Sequence, residues 1–397
     1  MESWKKTLLI SAGVIFFQSA GLSMMMPFLP LYLKDLGVTN PQAQATWSGL
    51  LSFVSFFFVA LLAPVWGTLS DKYGRKPLIL RATFGISLIA FLMSLVTNVY
   101  QLLVLRILHG FCGGVMPTFI ALVAHHLPRE RTGQGLGGMQ VSLLAGNIVG
   151  PFIGGLLSDW VGYRNVLLVI SGLTLTASVL TMLFIHEERR DPATASFTIM
   201  DNIRVVTSSR DLRIVALALF VTQFSLFIVE PILPLFIVSL HTAGSSATMV
   251  GLVFSVTGFS TMMFVTYWGR KGDRRGHQDV LFQALLFAGI AYFPQALATS
   301  VYHLLPLRAV IGFFVAGIVP STQSLIVNNT DDSRRGGVLG ITHAVSLFGQ
   351  ALGPLIGGGL GAAFGFRAPF ILTSLLLIIT SCLFRSYSAK PNQKGVR

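Results

Sequence analysis

The chain has 397 residues, of which 53% are apolar and only 11% charged, with a mean hydropathy of +0.72. A soluble domain carries about 25% charged residues, so lipid faces most of this surface and no separate soluble domain fits. The formal charge of +13 would suit nucleic acid on a soluble protein, but its confinement to short loops excludes that partner. Cys112 and Cys382 sit in apolar segments far apart in sequence, which argues against a structural disulfide or a metal site.

In chain order, apolar segments fall at roughly 7–33, 47–69, 78–97, 101–125, 134–158, 163–186, 212–238, 247–268, 278–298, 301–327, 337–363 and 366–386. Each is long enough to cross a hydrocarbon core of about 30 Å. The first lacks a small-residue cleavage site and reads as a retained span. Twelve spans put both termini on one side. Of the 28 Lys and Arg, 23 lie at the N-terminus, in the loops after even-numbered spans or in the tail, with Arg81 counted among them. The opposite loops hold only Lys34, Arg164 and Arg367, and Arg106 and Arg308 lie within spans. The positive-inside rule then places both termini in the cytoplasm, where the basic loops also suit anionic lipid heads. The expected domains are a six-helix bundle over 1–186, a cytoplasmic linker over 187–211 and a second bundle with a short tail over 212–397. Within the linker, a short amphipathic helix is expected around Met200–Ser208.

The two halves repeat. Trp66-Gly67, Asp71 and Gly74 return 202 residues later as Trp268-Gly269, Asp273 and Gly276, and Arg106 and Gly110 return as Arg308 and Gly312. Gly150-Pro151 with Gly154-Gly155 returns as Gly353-Pro354 with Gly357-Gly358, and Gly162-Tyr163-Arg164 as Gly365-Phe366-Arg367, both 203 residues on. Pro27-Phe28-Leu29-Pro30 is echoed by Pro231-Ile232-Leu233-Pro234 at 204. Six spans per copy means parallel halves related by an axis along the membrane normal, the plan of transporters with a site between halves near the midplane.

These motifs resemble the major facilitator superfamily over essentially the whole chain, and within it the twelve-span bacterial drug:proton antiporters. Gly67 to Lys76 is similar to the loop signature between spans 2 and 3. Leu105-Arg106 with His109-Gly110 resembles the span 4 signature, although His109 stands where that signature usually has Gln. Gly146, Gly150-Pro151 and Gly154-Gly155 resemble the span 5 antiporter motif, and Gly21 with Pro27 to Pro30 the span 1 motif of drug exporters. The resemblance implies an all-α integral membrane fold of two pseudo-symmetric six-helix bundles, with spans 1, 4, 7 and 10 lining a central cavity.

The residues themselves suggest chemistry. Asp71, between Gly67 and Gly74, can accept from a helix N-terminus and pair with Arg75 or Arg131, and with Lys76 these form a candidate gating latch; the bland alternative is a positive-inside loop. Gly146, Gly150, Gly154 and Gly155 offer close helix packing and Pro151 a kink. An arginine inside a span costs roughly 2.5–3.5 kcal/mol and seeks a partner or water, so Arg106 is singled out, with His109 one turn on. Glu230 is the acid well inside a span, and it is expected to bind a proton or a cation and to meet Arg106 across the cavity. Gln18, Met26 and Met116 are candidate contacts for amphipathic ligands. The expected function is proton-coupled efflux of amphipathic, drug-like molecules by alternating access, by a monomer in the bacterial cytoplasmic membrane. It needs no metal or other cofactor beyond the proton gradient and has no enzymatic activity. Export of one physiological substrate (a sugar, amino acid or lipid), or a non-transporting sensor, stand as alternatives.

Overall fold

Prolines and glycines decide where the apolar segments break. The computed structural model describes residues 3–114, 118–119, 122, 132–185, 187, 199–240 and 246–388. Eleven helices in it are long and apolar enough to cross a membrane, and among the described residues there is no strand. Span 1 runs Ser3–Met25, tightens into a 3₁₀ turn at Met26–Phe28 and resumes over Leu29–Asp35, because Pro27 and Pro30 cannot donate to the helix ladder. Span 7 repeats the device: Arg210–Val229, a turn through Glu230, Pro231 and Ile232, then Leu233–Ser239.

Spans 2, 3, 5 and 6 are Pro41–Tyr73, Arg75–Ser94, Thr132–Val161 and Tyr163–Phe184. Spans 8, 9, 11 and 12 are Ala247–Arg275, His277–Ala296, Arg335–Phe364 and Ala368–Ser388. Several outrun the hydropathy segments, since helices continue through the polar headgroup layer and end at caps. Asn40 accepts from the amides of Gln42 and Ala43 at 2.8 and 3.3 Å. At the sharp turns between spans 2 and 3, 5 and 6, 8 and 9, and 11 and 12 stand Gly74, Gly162, Gly276 and Gly365, with φ of 96°, 80°, 93° and 85°. That region favours glycine, so the repeat seen in sequence is a repeat of backbone conformation.

Span 4 departs from the expected 101–125. Its helix, Val99–Cys112, is short, and the chain unwinds at Gly113 and Gly114, the latter at φ 87°. Its counterpart, span 10, runs Val301–Val315 and then Ile318–Asn328. The break divides the core of the first half. One apolar cluster gathers Leu33, Leu51, Met93 and Leu102, and a second gathers Ile79, Ile86, Phe119 and Met139. The second half holds a larger cluster, including Leu212, Phe236, Leu285 and Leu304, and a smaller one around Trp268, Val280 and Ala316. Between the halves lies the helix Ile199–Ser208, packed on spans 7 and 11.

We call the side where span 1 begins and span 12 ends the terminal face, and the opposite side the far face. Within each half, span 5 packs on span 1 and span 11 on span 7; the halves meet along spans 2 and 11 and along spans 5 and 8.

Candidate functional site: broken helices, buried arginines and a closed far face

The repeat places Met26 in the break of span 1 and Glu230 in the break of span 7, 204 residues apart. Broken spans are where such folds bind ligands, because a helix interruption frees backbone groups only where a cavity or protein can receive them. Met26 is half-buried. Glu230 has a buried Oε2 with no hydrogen-bond partner among the described residues.

The arginine whose charge bears on Glu230 is Arg308 of span 10, in the same half, although no hydrogen bond or ion pair joins the two among the described residues. This corrects the expected meeting of Glu230 with Arg106, which span 4 holds inside the first half instead. Arg308 also lies over Tyr292, its guanidinium carbon 5.9 Å from the ring centroid. Both arginines are buried, at 3% and 6% exposure, and both keep Nε and Nη2 without hydrogen-bond partners among the described residues. The halves are therefore matched in cations and unmatched in anions. His109 follows Arg106 by one turn on the same helix, its Nδ1 buried without a hydrogen-bond partner among the described residues. Gln18 is 2% exposed with neither amide atom partnered among the described residues. Met116 lies outside the described residues.

The span 5 glycines divide their work. A methyl on Gly146 would come 2.8 Å from Phe16 O, and one on Gly154 2.9 Å from Met24 O, so these two and Gly150 between them seat span 5 on span 1. Gly155, one position on, faces the other half, where a methyl would lie 2.5 Å from Ala247 O of span 8. Span 11 copies this: Gly353 seats it on Phe224 of span 7, while Gly358 meets Ala45 and Gly49 of span 2. Each proline carbonyl then faces a glycine across the interface, Pro151 against Gly251 and Pro354 against Gly49. Ala45 and Gly49, with Ala247 and Gly251, are small residues four apart that the motif reading missed; that spacing was the available signal.

One of these two contacts carries a carboxylate cap. Asp159, at the far end of span 5, accepts from Ala247 N at 3.0 Å and from Thr248 N and Oγ1 at 2.9 and 2.5 Å. A carboxylate from one half thus caps the N-terminus of span 8 in the other. The repeat has Ala362 in its place.

Toward the terminal face the same four spans part. Among the described residues, a methyl on Gly67, Gly133, Gly137, Gly138, Gly269, Gly336 or Gly340 would meet nothing within 4 Å. Farther inward the halves touch, with Ser255 Oγ donating to Ile148 O at 2.6 Å, Gly258 packed on Ile148, and the Phe56 and Phe227 rings 5.3 Å apart. The two halves make a wedge closed at the far face and open at the terminal face.

Of the candidate latch, Gly67, Gly74, Arg75 and Lys76 are described. Gly67 is exposed and Gly74 makes the turn. The carboxylate at the N-terminus of span 3 is Glu187, which accepts from Arg75 N at 2.7 Å and Lys76 N at 2.8 Å. The Lys76 ammonium donates to Met182 O at 2.9 Å. These bonds tie span 3 to span 6 within one half. The Asp71 side chain and Arg131 lie outside the described residues.

Duplicated bundles, broken central spans and a one-sided wedge define a membrane transporter rather than an enzyme. The Major Facilitator Superfamily profile matches residues 12–242 and 215–397, and the chain belongs to that family. It is 34% identical over 386 residues to Multidrug resistance protein MdtG of Serratia proteamaculans, covering 96% of this chain and 93% of that one. It is 33% identical over 382 residues to its namesake in Escherichia fergusonii, covering 95% and 93%. Among solved structures, a bacterial homologue of the lysosomal transporter Spinster, inward-facing and unoccupied, superposes with a TM-score of 0.77 at 16% identity, covering 98% and 97%. The nucleoside transporter NupG superposes with 0.78 at 13% identity, covering 98% and 100%.

Proposed function

We propose that this transporter is a proton-coupled exporter of amphipathic, drug-like compounds. It would act as a monomer in the bacterial cytoplasmic membrane, with both termini in the cytoplasm. The multidrug resistance relatives support the substrate class, and the Lys and Arg asymmetry supports the orientation. With that orientation the open wedge admits compounds from the cytoplasm and its lipid leaflet.

Glu230 in the break of span 7 carries the coupling reading. An ionised carboxylate in a low-dielectric site needs a counter-charge. Arg308 supplies one from the neighbouring span, so Glu230 can release its proton without leaving an isolated charge. When Glu230 is protonated, Arg308 stands uncompensated and a cationic ligand is disfavoured. When it is ionised, the pair is neutral and a cation is tolerated. Proton and cationic drug then compete for one site as the halves rock, which is what antiport requires.

The test is flux of a cationic dye into proteoliposomes under an imposed pH gradient. The wild type is expected to concentrate the dye, and Glu230→Gln to equilibrate it without concentrating it. Uphill accumulation at the wild-type level by Glu230→Gln would remove this residue from the coupling step.

A further inference from the structure

The two halves also differ in kind around the equivalent residues Trp66 and Trp268. In the second half, Trp268 Nε1 donates to Phe313 O at 2.6 Å and the indole is 2% exposed. The Lys271 ammonium lies 4.2 Å from the Trp268 ring centroid and donates to Gln283 Oε1 at 2.8 Å. Trp66, Arg81 and Phe111 stand 202 residues before Trp268, Gln283 and Phe313. Here the guanidinium takes the indole's place: Arg81 Nη1 donates to Phe111 O at 3.3 Å, and its Cζ lies 3.4 Å from the Trp66 ring centroid. Trp66 Nε1 and Arg81 Nε are left buried without a hydrogen-bond partner among the described residues. Beside them span 4 unwinds at Gly113 and Gly114, leaving a small open cleft lined by Trp66, Leu78, Ile79, Arg81 and these two glycines.

Two buried donors, one of them on a cation, call for an anionic acceptor, since leaving such donors unpaired costs free energy. The surroundings indicate where it comes from. Arg81 is six residues into span 3, about 9 Å from the terminal face, the depth of a lipid phosphate and glycerol. Beyond it toward the far face, exposed Phe84 and Leu88 of span 3 run beside exposed Phe111, Leu108 and Val104 of span 4. Span 3 packs chiefly on spans 2, 4 and 6 of its own half, so this apolar track borders lipid rather than the wedge. We propose that the cleft between spans 2, 3 and 4 binds the phosphate of an anionic phospholipid from the leaflet at the terminal face, with an acyl chain along that track.

Native mass spectrometry of the full-length protein released from bilayers of phosphatidylethanolamine, with and without phosphatidylglycerol, tests this. The wild type is expected to retain one more phosphatidylglycerol than Arg81→Gln, with affinity lowered about tenfold or more in the variant. The second half already carries glutamine at this position, so the substitution suits the fold, and an unchanged melting temperature in lipid-free detergent checks it. Arg81→Lys should retain part of the binding, because it keeps the charge without the planar fork. Equal retention by wild type and Arg81→Gln would overturn the site. If inorganic phosphate alone raises the melting temperature of the wild type as much as phosphatidylglycerol does, and not that of Arg81→Gln, the ligand is a free anion and the lipid assignment fails.

Discussion

Arg308 is 6% exposed and Glu230 Oε2 is buried, so the charge of each is expected to matter to the other. Removing one partner of a buried charge pair costs more than removing both. Arg308→Gln is therefore expected to lower thermal stability more than the double variant Arg308→Gln with Glu230→Gln, with a coupling of roughly 0.5–3 kcal/mol in a double-mutant cycle. Additive effects would mean that the two charges do not act on each other. Glu187 makes a separate prediction. Its carboxylate satisfies two amides at the start of span 3, so Glu187→Ala should cost roughly 1–2 kcal/mol of local stability. Hydrogen exchange at the amides of Arg75 and Lys76 should quicken about tenfold. The acids and arginines were visible in sequence as charges inside or beside apolar runs, since such charges are conspicuous against lipid. Their partners were not: Arg106 and Arg308 are equivalent in the repeat, and only packing shows which of them bears on Glu230.

At the scale of elements, the far-face contact rests on small residues plus one carboxylate. Asp159→Ala removes the bonds to the start of span 8 and should weaken far-face closure by roughly 1–2 kcal/mol. Spin labels at exposed positions 160 and 363, one in each half, should then show a growing long-distance population. Gly155→Val should do the same more strongly, since its side chain has nowhere to go against Ala247. An unchanged distance distribution in both variants would mean that closure is held elsewhere. The glycine stripe of span 5 was legible as a packing motif. The sequence reading did not separate its two roles, because residues one apart on a helix point about 100° apart and the partner on each side is set by tertiary packing.

For the whole molecule, the wedge implies that the open terminal-face halves of spans 2, 5, 8 and 11 close in the alternate state. Gly340 meets nothing in the present state. Gly340→Ala should leave this state intact, or stabilise it by up to about 1 kcal/mol through helix propensity, yet slow transport if span 11 must seat against span 2 there. Melting temperature and dye flux measured together separate these outcomes. Wild-type flux in Gly340→Ala and Gly340→Val would show that these faces do not meet.

The sequence by itself determined the twelve spans, the duplication and the family, because lipid imposes apolar runs of fixed length and because turns such as Gly74 and Gly276 impose glycine locally. Hydropathy also marked the unusual charges. Tertiary structure alone decided that Glu230 answers to Arg308, that span 4 breaks at Gly113 and Gly114, and that Asp159 of one half caps span 8 of the other. These are contacts between residues distant in sequence, and their energies depend on which helix faces lie together. One sequence serves both states of the transport cycle, so only coordinates reveal which face is shut.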